Sequence, residues 1–147
     1  MTPVDWFSEA LANWGRIAIA GGPQVGKTTI CERVNGRPVF HGDDYIKLGW
    51  SESSQKLCDV VNAEAGPLVV EGVQVPRALR KGMRVDVVIW LERMGRYERD
   101  GHETMRGGAW TVLSEWRQAN PRVPFLIQAG QPLKAALPVL EYPRVKT

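Results

Sequence analysis

Ile17-Ala18-Ile19-Ala20-Gly21-Gly22-Pro23-Gln24-Val25-Gly26-Lys27-Thr28-Thr29 is the stretch that decides how this chain is read. Its first four residues form a short apolar run ending at glycine, the pattern of a strand buried on both faces. From Gly21 to Thr28 the spacing G-x-x-x-x-G-K-[ST] is met in full. Glycines let successive backbone N–H groups turn inward around phosphate oxygens, and the helix that follows adds its positive end. In such a loop Gly21, Gly22, Pro23, Gln24, Val25, Gly26, Lys27, Thr28 and Thr29 would surround a nucleotide's phosphates. The Lys27 ammonium would neutralise β/γ-phosphate charge, and the Thr28 hydroxyl would reach magnesium. A chance glycine turn before a helix would look alike locally, but it would not need the apolar strand in front.

Outward from this loop, strands and helices alternate. Upstream, Thr2-Pro3-Val4-Asp5 reads as a helix start, and Val4, Phe7, Leu11 and Trp14 recur at helical spacing until Gly15. Downstream, residues 28–34 read as a helix ending at Asn35-Gly36. A second strand follows at Pro38-Val39-Phe40-His41 and runs into Gly42-Asp43-Asp44. A helix over 53–65 stops at Gly66-Pro67, and Leu68-Val69-Val70 is a third strand ending at Glu71-Gly72. Val85 to Leu91 is a fourth, nearly all apolar, and residues 123–127 form a fifth whose Pro124 suits an edge. Between these two lie an arginine-rich segment over 93–108 and a helix over 109–119. A short helix is expected over 133–137. The alternation predicts an α/β fold: three layers, with a parallel five-stranded sheet between helices. The loop after strand one, the Asp pair, Glu71 and the arginines then all fall at the carboxyl ends of strands, where such sheets bind ligands.

The acidic residues there suit phosphoryl transfer. Asp43 or Asp44 could accept the proton of an attacking hydroxyl, while the other binds magnesium through water or caps the next turn. The alternative makes both solvated turn residues, and the complete phosphate loop beside them counts against it. Glu71 closes an apolar strand, where a carboxylate needs a partner: a magnesium shell or Lys27. The alternative puts it at an exposed strand end. Arg93, Arg96 and Arg99 recur at three-residue spacing, one side of a helix, with Arg106 beyond them. They either meet transferring phosphate from a mobile lid hinged at Gly101, Gly107 and Gly108, or they coat a solvated helix. Tyr45 and Trp50, just past the Asp pair, either stack a flat acceptor or pack inward.

The whole chain is consistent with this. Its 147 residues, 44% apolar, suit one globular domain, and a net charge of +3 is compatible with phosphate-rich ligands. No run reaches the roughly 18 apolar residues of a membrane span, and the N-terminus lacks a signal-peptide pattern. A soluble, cytoplasmic protein without a membrane partner is expected. Cys31 and Cys58 have no metal-ligand spacing and read as buried hydrophobes, and most of the six tryptophans read as core.

Four pieces resemble the small P-loop kinases of the nucleoside and nucleotide kinase group, especially uridine kinase and nicotinamide riboside kinase. They are Gly21 to Thr28, His41-Gly42-Asp43-Asp44-Tyr45, Val69-Val70-Glu71-Gly72, and the segment from Arg93 to Asp100. The resemblance spans 16–106 and implies a P-loop NTPase fold with sheet order 2-3-1-4-5. It also implies ATP and magnesium as cofactors, with Lys27, Asp43 or Asp44, Arg93 and Arg96 in catalysis. Thr28, Asp43 and Glu71 would lie at the metal, and Arg99 at ATP. The acceptor would be a nucleoside-like or other small hydroxyl-bearing metabolite near Tyr45 and Trp50. Some bacteriophage kinases acting on hydroxymethylated bases in DNA look similar, so a hydroxyl in nucleic acid is the second expectation. A third is an NTP-binding switch with little turnover. Against a guanine-reading switch, the chain has no Asn/Thr-Lys-x-Asp motif.

Overall fold

The computed structural model describes residues 6–23, 27–92, 101–129 and 139–140. Helix α1 (Trp6–Asn13) precedes strand β1 (Arg16–Gly21), and α2 (Lys27–Cys31) and β2 (Val39–His41) follow. A 3-10 turn (Gly42–Leu48) leads directly into α3 (Trp50–Ala63) and β3 (Leu68–Glu71). The remainder is α4 (Val75–Arg80), β4 (Val87–Glu92), α5 (His102–Ala119), β5 (Phe125–Ala129) and β6 (Val139–Leu140).

Five strands are parallel in the order β2-β3-β1-β4-β5, and β6 adds antiparallel to β5. The parallel part is as expected; the sixth strand is an addition to it. Its two residues make too short a run to register as a period, and only pairing with Leu126 and Ile127 defines it. Pro124 sits just ahead of β5, where its missing N–H costs no ladder bond and its carbonyl accepts from Val88 N at 3.0 Å.

Alternation along the strands divides the core in two. Ala18, Ala20, Leu68, Val70, Val88, Trp90 and Phe125 face one side, where Leu57, Cys58 and Val61 of α3, Val75, Ala78 and Leu79 of α4, and Ala109 and Leu113 of α5 cover them. Ile17, Ile19, Val69, Val87, Ile89, Leu91 and Leu126 face the other, under Phe7 and Ala10 of α1 and Ile30 and Cys31 of α2. The small alanines of β1 let α3, α4 and α5 share the first face. This is a three-layer α/β architecture.

The helix after β1 therefore covers the opposite face from the helices after β2, β3 and β4. Where neighbouring strands send their connections to opposite faces, a crevice opens beyond their carboxyl ends. Here that point lies at the end of β1, between Gly21 and Glu71.

Several local expectations change. The regular part of α2 ends at Cys31, and its chain continues in tighter turns through Val34. Helix α3 begins at Trp50, three residues earlier than expected. Helix α4 has no counterpart in the sequence reading. Its signals are a proline in the first turn and Val75, Ala78 and Leu79 on one face, too few to stand out as a period. Helix α5 begins at His102 rather than near 109, so Gly107 and Gly108 lie inside a helix and are not hinges. Gly101, with φ of +86°, is the residue ahead of that helix. The helix start at 2–5, the lid residues 93–100 and the helix over 133–137 lie outside the described residues. No helix among the described residues is long and apolar enough to cross a membrane.

Candidate functional site

The loop after β1 is described at Gly21, Gly22 and Pro23 and again from Lys27. Gln24, Val25, Gly26 and the Thr28 side chain lie outside the described residues, as do Arg93, Arg96 and Arg99; Thr29 is exposed. Lys27 is only 7% exposed, and its ammonium donates to the Gly22 carbonyl at 2.5 Å and the Gly21 carbonyl at 3.5 Å. Burial pulls its pKa from 10.5 down to about 8, while Glu71 and then Asp43 act in the opposite direction. The lysine is a desolvated cation whose nearest oxygens belong to its own loop. Cys31, one turn along α2, is buried with its thiol pushed up to about 12, first by desolvation and then by Glu71. It is an inert packing residue, as is buried Cys58.

Glu71 is 2% exposed, so it does not sit at an exposed strand end. Its partner is one the sequence did not single out: His41 Nδ1 and Glu71 Oε1 share a hydrogen bond of 2.9 Å. The pair follows from the sheet, since β2 and β3 are parallel neighbours with His41 opposite Glu71. Burial raises the Glu71 carboxyl; the His41 hydrogen bond and the Lys27 charge oppose that rise. A buried carboxylate thus shares the crevice with a buried ammonium, and exposed Asp43 lies within the field of both.

Gln74 is the residue that holds Asp43's neighbourhood. Fully buried ahead of α4, it donates through Nε2 to the Gly42 carbonyl at 3.0 Å, while its Oε1 has no hydrogen-bond partner among the described residues. A Cβ on Gly42 would collide with that amide, and one on Gly72 would come within 2.7 Å of Oε1. Gly72 also has φ of +147°, a backbone that side-chain-bearing residues rarely adopt. Both glycines are needed for the ends of β2 and β3 to close around Gln74. Asp43 and Asp44, in the first turn of the 3-10 segment, are exposed.

Tyr45 and Trp50 separate. Tyr45 is half-buried and packs against the core under α3, α4 and α5. Trp50 is 41% exposed, with the Arg77 guanidinium 5.0 Å from its ring centroid. Of the other tryptophans, Trp90 is fully buried, Trp110 and Trp116 pack against the same core, and Trp14 packs on the opposite face.

Arg106 is fixed at the end of β4. It grips Glu92 with two bonds, Nε to Oε1 at 2.9 Å and Nη2 to Oε2 at 2.6 Å, and Trp90 Nε1 donates to the same carboxylate at 2.8 Å. Its guanidinium lies over Trp90 and Trp110. A sequence reading sees only an arginine at the tail of a basic segment; the fourteen-residue separation hides its partner.

Among the described residues no group of three His, Cys, Asp or Glu side chains could hold a metal ion. Magnesium does not require one, since it is commonly bound by one or two carboxylates, water and phosphate oxygens. The hard oxygens of Glu71 and Asp43, whose charges both act on Lys27, suit such an ion. Comparison with protein-family models, with curated proteins and with solved structures finds no match.

Proposed function

We propose that this protein is an ATP-dependent phosphotransferase of the P-loop kinase type, moving the γ-phosphoryl group to an alcohol hydroxyl of a nucleoside-like acceptor. One observation carries the reading. Lys27, in a complete phosphate-loop motif at the end of the central strand, is buried, has its pKa depressed, and among the described residues donates only to loop carbonyls. Desolvating an ammonium costs several kcal/mol that loop carbonyls recover only in part, so an incoming phosphate is the partner this site favours.

In the reaction, the acceptor oxygen forms a bond to the γ-phosphorus as the bond to the β-phosphate oxygen of departing ADP breaks. The hydroxyl proton passes to a carboxylate, for which Asp43 is the choice because it lies in the field of Lys27 and Glu71. Lys27 stabilises charge on the β/γ oxygens. Thr28, Asp43 and Glu71 would hold magnesium, which when bound supplies further neutralisation of the phosphates. His41, through its hydrogen bond, holds one oxygen of the Glu71 carboxylate in place.

The test is transfer of label from γ-labelled ATP to a panel of nucleosides, sugars, cofactor precursors and hydroxyl-bearing DNA. Labelled product with at least one acceptor is expected. ATP binding with no acceptor labelled, and only slow hydrolysis, would favour a switch instead.

A further inference from the structure

Just past Asp43 and Asp44 in the chain, three large apolar side chains stand in solvent within five residues: Ile46 and Leu48 at 47% exposure and Trp50 at 41%. Burial of such groups is favourable, so exposed apolar side chains this close in the chain to a candidate site mark a contact surface. Cations surround it. Exposed Lys47 lies between Ile46 and Leu48, and Arg77 lies over the Trp50 ring. Exposed Arg80 is close enough to depress Arg77, and exposed Lys81 donates to Ser51 Oγ at 3.4 Å. The acids of the same stretch are Asp43, Asp44 and Glu52, all exposed.

Arg77 is the informative member. Burial and Arg80 lower its pKa, with no carboxylate acting the other way, and among the described residues it has no hydrogen bond or ion pair. A half-buried guanidinium held against an indole and a second cation lacks its anion. Its place relates it to the reaction. Gln74, one helical turn before Arg77, is bonded to Gly42, the residue preceding Asp43. On the other side, Arg77 Nη2 lies 3.6 Å from where a Gly108 Cβ would be, so the glycine leaves room beside it in α5.

We propose that Trp50, Arg77 and the cations of α4 bind single-stranded nucleic acid, which presents the acceptor hydroxyl toward Asp43. An exposed indole offers a stacking surface to a base, and guanidinium and ammonium groups suit the phosphodiesters on either side. One mononucleotide would use one ring and one cation. Further apolar surface at Ile46 and Leu48, with Arg80 and Lys81 continuing along α4, matches a strand of several nucleotides. The inference rests on the phosphotransferase reading for the hydroxyl's fate, but not for binding.

Anisotropy of a fluorescein-labelled oligodeoxythymidylate, titrated with the full chain without ATP, tests it. Binding is expected, weakened at least about fivefold by Trp50→Ala, the smallest loss typical of one stacked base. Trp50→Phe should restore most of it. Arg80→Ala with Lys81→Ala should flatten the dependence of log Kd on log salt by about 0.7 for each phosphate no longer neutralised. These two side chains are exposed, so this variant remains informative if Trp50→Ala fails to fold. Equal affinity for an abasic strand, an unchanged Trp50→Ala affinity, or thymidine monophosphate competing as well as the strand would each overturn the proposal. Strand binding without transfer upholds the site and counts against the phosphotransferase alone. Transfer to free nucleosides with no strand binding overturns the strand site and leaves the phosphotransferase standing.

Discussion

Two cations at the amino end of the sheet, Arg16 and Arg37, and two toward its carboxyl end, Lys27 and Arg77, are treated in opposite ways. At the amino end, the Arg16 guanidinium makes four hydrogen bonds to backbone carbonyls, those of Val61, Glu64, Gly66 and Arg84. Arg37 makes three, to Leu11, Trp14 and Gly15. Each closes the end of a helix, α3 or α1, where carbonyls lack partners and the helix dipole favours positive charge. At the carboxyl end, among the described residues, Lys27 has only loop carbonyls and Arg77 only the face of an indole. Saturated cations stabilise the fold. Unsaturated ones cost it stability and are the places where an anion gains most by binding; Arg106, bonded twice to Glu92 at the end of β4, belongs with the saturated set although it lies at the carboxyl end.

Substituting Lys27 by Met should break this contrast most sharply, because activity and stability move apart. Measurable phosphoryl transfer should disappear with loss of the charge on the β/γ oxygens. Stability should rise. With the native ammonium at about 8 against 10.5, the unfolded chain holds this proton where the native state has lost it. Protein stability therefore climbs as pH goes from about 8 toward 10.5, and below 8 the penalty is fully present. At pH 7 the variant should unfold at higher denaturant than the parent, with the lead shrinking toward pH 10.5. A variant less stable at pH 7 would mean that Lys27 is as well satisfied as Arg16.

Asp43→Asn comes next. Transfer should fall by about 10²–10⁴-fold with little change in ATP affinity, while Asp44→Asn does much less. Small, equal effects in a steady-state assay would return both residues to the solvent-facing turn.

The amino end is tested by Arg16→Met, expected to cost roughly 2 kcal/mol in urea unfolding by stranding carbonyls that a charged donor now satisfies. Its transfer rate should stay near that of the parent. Lost activity in a folded variant would show that the two ends are coupled.

Gly107→Ala should have the smallest effect. A Cβ there meets nothing within 4 Å inside α5, so the change should add about 0.5–1 kcal/mol of helix stability and leave transfer unchanged. Slower transfer despite higher stability would restore the hinge that the sequence suggested.

What the sequence determined by itself is the succession of elements around the phosphate loop. Strands buried on both faces read as apolar runs, and Ile17 to Ala20, Leu68 to Val70 and Val87 to Leu91 needed no context to be recognised. The loop motif is equally local, since its eight positions are consecutive in the chain. Strand order came only as an implication of resemblance, and the tertiary structure decided it, along with the antiparallel β6. It also decided every partnership reaching across the chain: His41 with Glu71, Gln74 with Gly42, Arg106 with Glu92, and Arg77 with Trp50. No period or spacing encodes these, because each depends on strand register or on which helices meet. The exposure of Trp50 was undecidable for the same reason. An aromatic residue packs inward or faces solvent according to what lies across from it, and at Trp50 that is Arg77, on a helix too short to read.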